Sequence, residues 1–117
     1  MHSWIRKFAL AAKGIWWGMR GHSSFAVHVP IAVCVIVLAI ALRCQLWQWC
    51  VLLLCIGLVM AAELANSAIE ELAAALCKEH HAAVGRSLDI ASGAVLAASI
   101  TAATVGVLIF TERLTTP

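Results

Sequence analysis

Residues 46–62 are apolar apart from Gln48, and no proline or glycine follows Gly57 until Gly85. A helix that enters this run is therefore predicted to continue beyond it, as far as Leu76. It then carries polar groups in order, through Glu63-Leu64-Ala65-Asn66-Ser67-Ala68-Ile69-Glu70-Glu71. At about 100° per residue, Glu63, Asn66 and Glu70 share one face and Glu71 points to its side. Glu63 and Glu70 lie roughly 10 Å apart along the axis, too far for one ion to bridge. Two carboxylates with separate tasks suit that span, one near a metal and one near a reacting hydroxyl. An acidic side chain at the edge of a membrane span is costly and marks a functional position. Glu71 fits a simpler role, a solvated group on a helix leaving the bilayer.

The rest of the chain agrees with a membrane setting. Of its 117 residues 63% are hydrophobic and 12% charged, against about 25% charged in soluble domains. Mean hydropathy is +0.97. A soluble domain of this length could not hide so much apolar surface, so residues 1–117 are read as one integral-membrane domain. The net charge of +2 gives no footing for nucleic-acid binding. Trp4, Trp16, Trp17, Trp47 and Trp49 fall in the first segment or near expected span ends, where indole suits the interface. The five cysteines are odd in number and form no CxxC, so no disulfide framework is expected. Arg6, Lys7, Lys13 and Arg20 interrupt any signal-peptide core.

Residues 3–20 read as an amphipathic surface helix. Arg6, Lys13 and Arg20 form a basic stripe, with Trp4, Phe8, Ala11, Ile15 and Met19 opposite. Gly14 and Gly18 are expected to let it bend. Residues 21–24 read as a hinge, with Ser23 or Ser24 capping the next helix. Three spans are then predicted, at residues 25–42, 46–65 and 89–110. Pro30 falls in the first turns of span one, where helix N–H groups lack partners anyway. Residues 43–45 leave room only for a tight turn, so spans one and two are antiparallel. Residues 77–87 read as a polar connection, and the residues from 111 onward as a frayed tail. Ser92, Gly93, Ser99 and Gly106 give span three a small-residue flank suited to close packing. Six basic residues precede span one or follow span two, against Arg43 and Arg113 on the other side. That bias puts the N-terminus and the 77–87 connection in the cytoplasm, with Glu63, Glu70 and Asp89 on the same side.

The run from Glu63 to Glu70 resembles the ExxNxxxE signature of the prokaryotic integral-membrane diacylglycerol kinases, which include undecaprenol kinases. The likeness extends to Lys13-Gly14, to a Phe25…His28 pair, and to Asp89-Ile90-Ala91-Ser92-Gly93-Ala94-Val95-Leu96. It implies a homotrimer in the bacterial cytoplasmic membrane that moves the γ-phosphate of MgATP to a lipid hydroxyl. The resemblance makes Glu63 the general base, close to the lipid substrate, and Asn66 the signature asparagine. Glu70 becomes a carboxylate that holds magnesium. Glu79, His80, His81 and Asp89 fall at nucleotide-contacting positions, and Ser92 near the lipid. Three positions depart from the pattern. His22 stands where a second metal-binding glutamate is typical, Leu88 where a lysine usually reaches the phosphates, and Ser3 near an arginine position. Histidine favours transition metals, so manganese is a candidate beside magnesium.

Phosphoryl transfer needs a metal for the phosphate oxygens, cations to offset charge, and an oriented nucleophile. Glu70 can supply metal-binding oxygen, and Glu63 can accept the proton of a lipid hydroxyl. Neither GxxxxGK[ST] nor GxGxxG occurs, which excludes P-loop and protein-kinase folds. Cys77 and His80 make only half of a zinc site. His28 reads as a helix-start histidine making a hydrogen bond. The alternatives are a non-catalytic lipid-binding or structural trimer of the same fold, and a small channel subunit. A channel calls for a polar stripe through a span, and Gln48 stands alone. The acceptor, diacylglycerol or undecaprenol, stays open.

Overall fold

The computed structural model describes residues 2–20 and 23–116. They form four helices: α1 (His2–Met19), α2 (Ser23–Ala41), α3 (Leu46–Leu76) and α4 (Ala82–Thr115). α3 carries the apolar run and the polar row in one helix of 31 residues, roughly 46 Å long. α3 and α4 are each long and apolar enough to cross a bilayer, while the apolar part of α2, Phe25–Ala41, is shorter.

The turn between α2 and α3 explains their antiparallel packing. Arg43 has φ 55°, in the left-handed region. The amide of Cys44 donates to the Ala39 carbonyl and that of Arg43 to the Ile40 carbonyl, both at 3.1 Å. This is the Schellman ending, in which the left-handed residue is usually glycine. Cys44 completes it by packing on the cluster of Ala39, Leu52 and Ile109. Gln48, buried in the first turn of α3, reaches back and accepts from the Gln45 amide at 2.8 Å. Its polarity serves the helix start, not a path through the membrane. Arg113 Nε closes the same end by donating to the Leu42 carbonyl at 2.8 Å.

Several boundaries differ from those expected. α4 begins at Ala82, so only residues 77–81 connect it to α3, and it runs on to Thr115 instead of fraying after residue 110. Polar residues there sit on helix because nothing between Ala82 and Thr115 breaks it and Arg113 ties its end down. α2 begins at Ser23, so Ser23 and Ser24 of the expected hinge are helical, and residues 21–22 lie outside the described residues. Pro30 is thereby inside the helix, past its first turn, and deprives the Ala26 carbonyl of its i+4 donor. α1 is continuous through Gly14 and Gly18. Gly18 serves contact, not bending: a Cβ there would come within 2.6 Å of Leu64 Cδ2. Gly93 and Gly106 face open space within this chain. α4 buries Ala91 and Ile109, and Ser99 is the member of the small-residue flank that meets another helix, at His28 of α2.

The molecule thus has two unlike ends. The apolar cluster of Ala39, Leu52 and Ile109 holds one. Toward the other, the interior is polar: Glu63, Asn66 and Ser67 are all buried.

Candidate active site

Glu63 is the largest fully buried side chain among the described residues, with 1% of its surface exposed. α2 crosses α3 so that His28 Nδ1 lies 2.6 Å from Glu63 Oε1. The approach is off the hydrogen-bond axis, so neither atom has an aligned partner. The contact sets the imidazole of α2 directly against the buried carboxylate of α3. Glu63 Oε2 and Asn66 Oδ1 are also buried without a hydrogen-bond partner among the described residues. A buried carboxylate oxygen left in that state is costly, which is unusual unless something else meets it. The far side of His28 meets Ser99, with Oγ 3.4 Å from Nε2.

One turn along, Asn66 Nδ2 donates to Glu70 Oε1 at 2.8 Å. The Glu63, Asn66 and Glu70 row is therefore one face, as the spacing predicts. Glu71 is exposed, as expected of a solvated group. Beyond the row, the end of α3 and the start of α4 enclose an open concavity of about 300 Å³. Glu70, Glu79, His80, His81 and Leu88 all line it, with Cys77. The Cys77 thiol donates to the Glu79 carbonyl at 3.0 Å, which folds the short connection back on itself. Glu63 and Asn66 lie outside that wall. So do Asp89 and Ser92, both exposed on α4. His22, the expected second metal ligand, lies outside the described residues.

Among the described residues no group of three or more His, Cys, Asp or Glu side chains could hold a metal by itself. Magnesium needs less, taking one or two carboxylates beside phosphate oxygens and water. Glu70 and Glu79 are carboxylates on one concavity, so the donors present fit a metal that arrives with a nucleotide.

A second, apolar groove of about 770 Å³ runs between α2, α3 and α4, from His28 and Ser99 toward Phe110 and Leu114. At its polar end His28 touches Glu63, with Ser99 on the far side of the ring. Reading the residues singled out neither Ser67 nor the pairing of His28 with Glu63. The Phe25…His28 pair was the one available hint: Phe25, one turn before His28, is itself buried.

The sequence pattern described as prokaryotic diacylglycerol kinase matches residues 9–110. An undecaprenol kinase of Bacillus subtilis (strain 168) is 28% identical over 114 residues, covering 97% of this chain and 93% of the relative.

Proposed function

The chain belongs to the prokaryotic diacylglycerol kinase family, and on that premise we propose that it moves the γ-phosphate of ATP to the hydroxyl of a membrane lipid alcohol. The observation that carries this is the buried Glu63, whose Oε2 has no partner among the described residues, on the same helix face as Glu70. A lipid hydroxyl at Glu63 would give its proton to the carboxylate as its oxygen bonds the γ-phosphorus. The bond from that phosphorus to the bridging oxygen breaks, and ADP leaves. Glu70, with Glu79, would hold magnesium or manganese, which supplies positive charge to the phosphate oxygens. Asn66 orients Glu70 through its amide. His80 and His81 lie beside the nucleotide in this reading. Asp89, adjacent to Leu88, meets it from α4, and His22 adds a metal ligand. Ser92 and the apolar groove ending at His28 receive the lipid.

The setting proposed is the bacterial cytoplasmic membrane, with α1 on its inner surface, α2, α3 and α4 as three spans, and three copies together. The bias of basic residues supports that orientation. Cation–π contacts in and just after α1 suit an interfacial helix: Lys7 over Trp4 and Arg20 over Trp16, each 4.8 Å from the ring centroid. The Bacillus relative makes undecaprenol the first acceptor to try and diacylglycerol the second. The experiment is phosphate transfer from labelled ATP in mixed micelles across a panel of lipid alcohols. Label in an extracted lipid is the expected result. A second reading, a non-catalytic lipid-binding trimer, rests on the concavity wall, which includes Leu88 and no lysine or arginine. Silence across the whole panel, with lipid still bound, would favour it.

A further inference from the structure

His28 has no task in the chemistry above, yet it touches the residue at its centre. We infer that His28 is a positioning residue for Glu63: its Nδ1–H fixes Oε1, so that Oε2 is the oxygen presented to the acceptor hydroxyl. The inference rests on Glu63 as general base and adds how that base is aimed. His28 neither gives nor takes a proton in the step.

Three observations carry it. His28 Nδ1 lies 2.6 Å from Glu63 Oε1, so the ring sits directly against that one carboxylate oxygen. Glu63 is 1% exposed, so water cannot take over if His28 is removed. The third concerns Ser99. Ser87, Thr101, Thr104 and Thr115 of α4 each donate to the carbonyl four residues back in their own helix. Ser99 meets His28 Nε2 instead, at 3.4 Å across to α2. A hydroxyl donating to Nε2 leaves the ring proton on Nδ1, the nitrogen that faces Glu63. The Ser99–His28–Glu63 row thus links all three long helices at one level, and the tautomer proposed is the one in which Ser99 donates to Nε2 and the ring proton is on Nδ1. Of the two Glu63 oxygens Oε1 is the one set against His28, and neither has an aligned hydrogen-bond partner among the described residues.

The test is steady-state lipid phosphorylation by the full chain in mixed micelles. It compares His28→Leu, His28→Asn, His28→Gln and Ser99→Ala, with His28→Leu repeated in Glu63→Gln. Misaiming a catalytic group can cost roughly 10²-fold, so His28→Leu is expected to lower kcat on that order. KM for MgATP should stay within about twofold, because the nucleotide site is not touched. An asparagine amide falls near the Nδ1 position and a glutamine amide near Nε2. His28→Asn is therefore expected to regain most of the lost kcat and His28→Gln little. In Glu63→Gln, adding His28→Leu should lower activity no further, since a residue acting through Glu63 has nothing left to aim. A merely structural role would lower activity in both backgrounds and would not separate asparagine from glutamine.

Wild-type kcat in His28→Leu, or an equal loss with and without Glu63, overturns the inference while leaving the general base intact. Wild-type activity in Glu63→Gln overturns the general base itself. Should His28→Leu fail to assemble, Ser99→Ala decides. Loss of one hydrogen bond is expected to lower kcat about fivefold, and an unchanged kcat there contradicts the proposed row.

Discussion

Glu63 and Glu70 share a helix face but not an environment. Glu63 is enclosed by α2 and α3, whereas Glu70 sits half-buried on an open concavity with its Oε1 held by Asn66. Glu70→Gln keeps the size and the helix propensity and removes the oxygen proposed to bind the metal. Its lost lipid phosphorylation is expected to return in part as magnesium is raised, read in a metal titration. A titration that leaves the variant at its low-metal activity would remove Glu70 from the metal. Leu88 makes the opposite prediction, because it brings no charge to the wall where phosphates would lie. Leu88→Lys is expected to lower KM for ATP and raise turnover, and unchanged kinetics would show that the phosphates lie elsewhere. The row itself was legible in the sequence because a helix turns by a fixed angle, whatever surrounds it. The His28 contact was not, since it depends on how α2 crosses α3. Ser67 escaped notice for the same reason: its burial depends on what packs beside the row.

The helices and their joints show the same division. α3 was readable to its last residue, since the run after Gly57 has no glycine or proline to stop a helix that has already started. The start of α4 was not, because Arg86 and Ser87 look like loop when only polarity is weighed. The tight α2–α3 turn was expected, but its left-handed Arg43 was not. A side chain in that conformation costs about 1–2 kcal/mol, and glycine's extra unfolded-state freedom returns roughly half of that. Arg43→Gly is therefore expected to stabilise the protein by about 0.5–1 kcal/mol, read as a higher denaturant midpoint. At the other end, Gly18 lets α1 approach Leu64, the neighbour of Glu63 in α3. Gly18→Leu should lift α1 from α3 and reduce lipid phosphorylation while α2, α3 and α4 remain inserted. Removal of residues 1–20 should abolish it, and full activity in the truncated chain would deny α1 any part in the site.

At the scale of the whole molecule, the chain is elongated. Its radius of gyration is 17.3 Å and its extents are 57 × 41 × 19 Å, against about 13 Å for a compact domain of 100 residues. α4 buries only Ala91 and Ile109, and many large apolar side chains of α2, α3 and α4 face outward. Lipid and further copies of the chain are the natural cover for such surfaces. Residues 77–87 should be labelled by a thiol reagent from the cytoplasmic side when each is replaced by cysteine. Labelling from the opposite side would invert the topology. Cross-linking in membranes is expected to stop at three copies. These arrangements matter because a hydroxyl held in the membrane must meet a phosphate delivered from water, and Glu63 is where the two would meet. The most direct measurement is transfer of labelled γ-phosphate to undecaprenol by the wild type and by Glu63→Gln at saturating magnesium. Loss of a general base costs roughly 10²–10⁴-fold, so labelled lipid should form with the wild type and fall by that order in the variant, with no recovery as metal is added. Equal labelling by the two proteins would contradict the account.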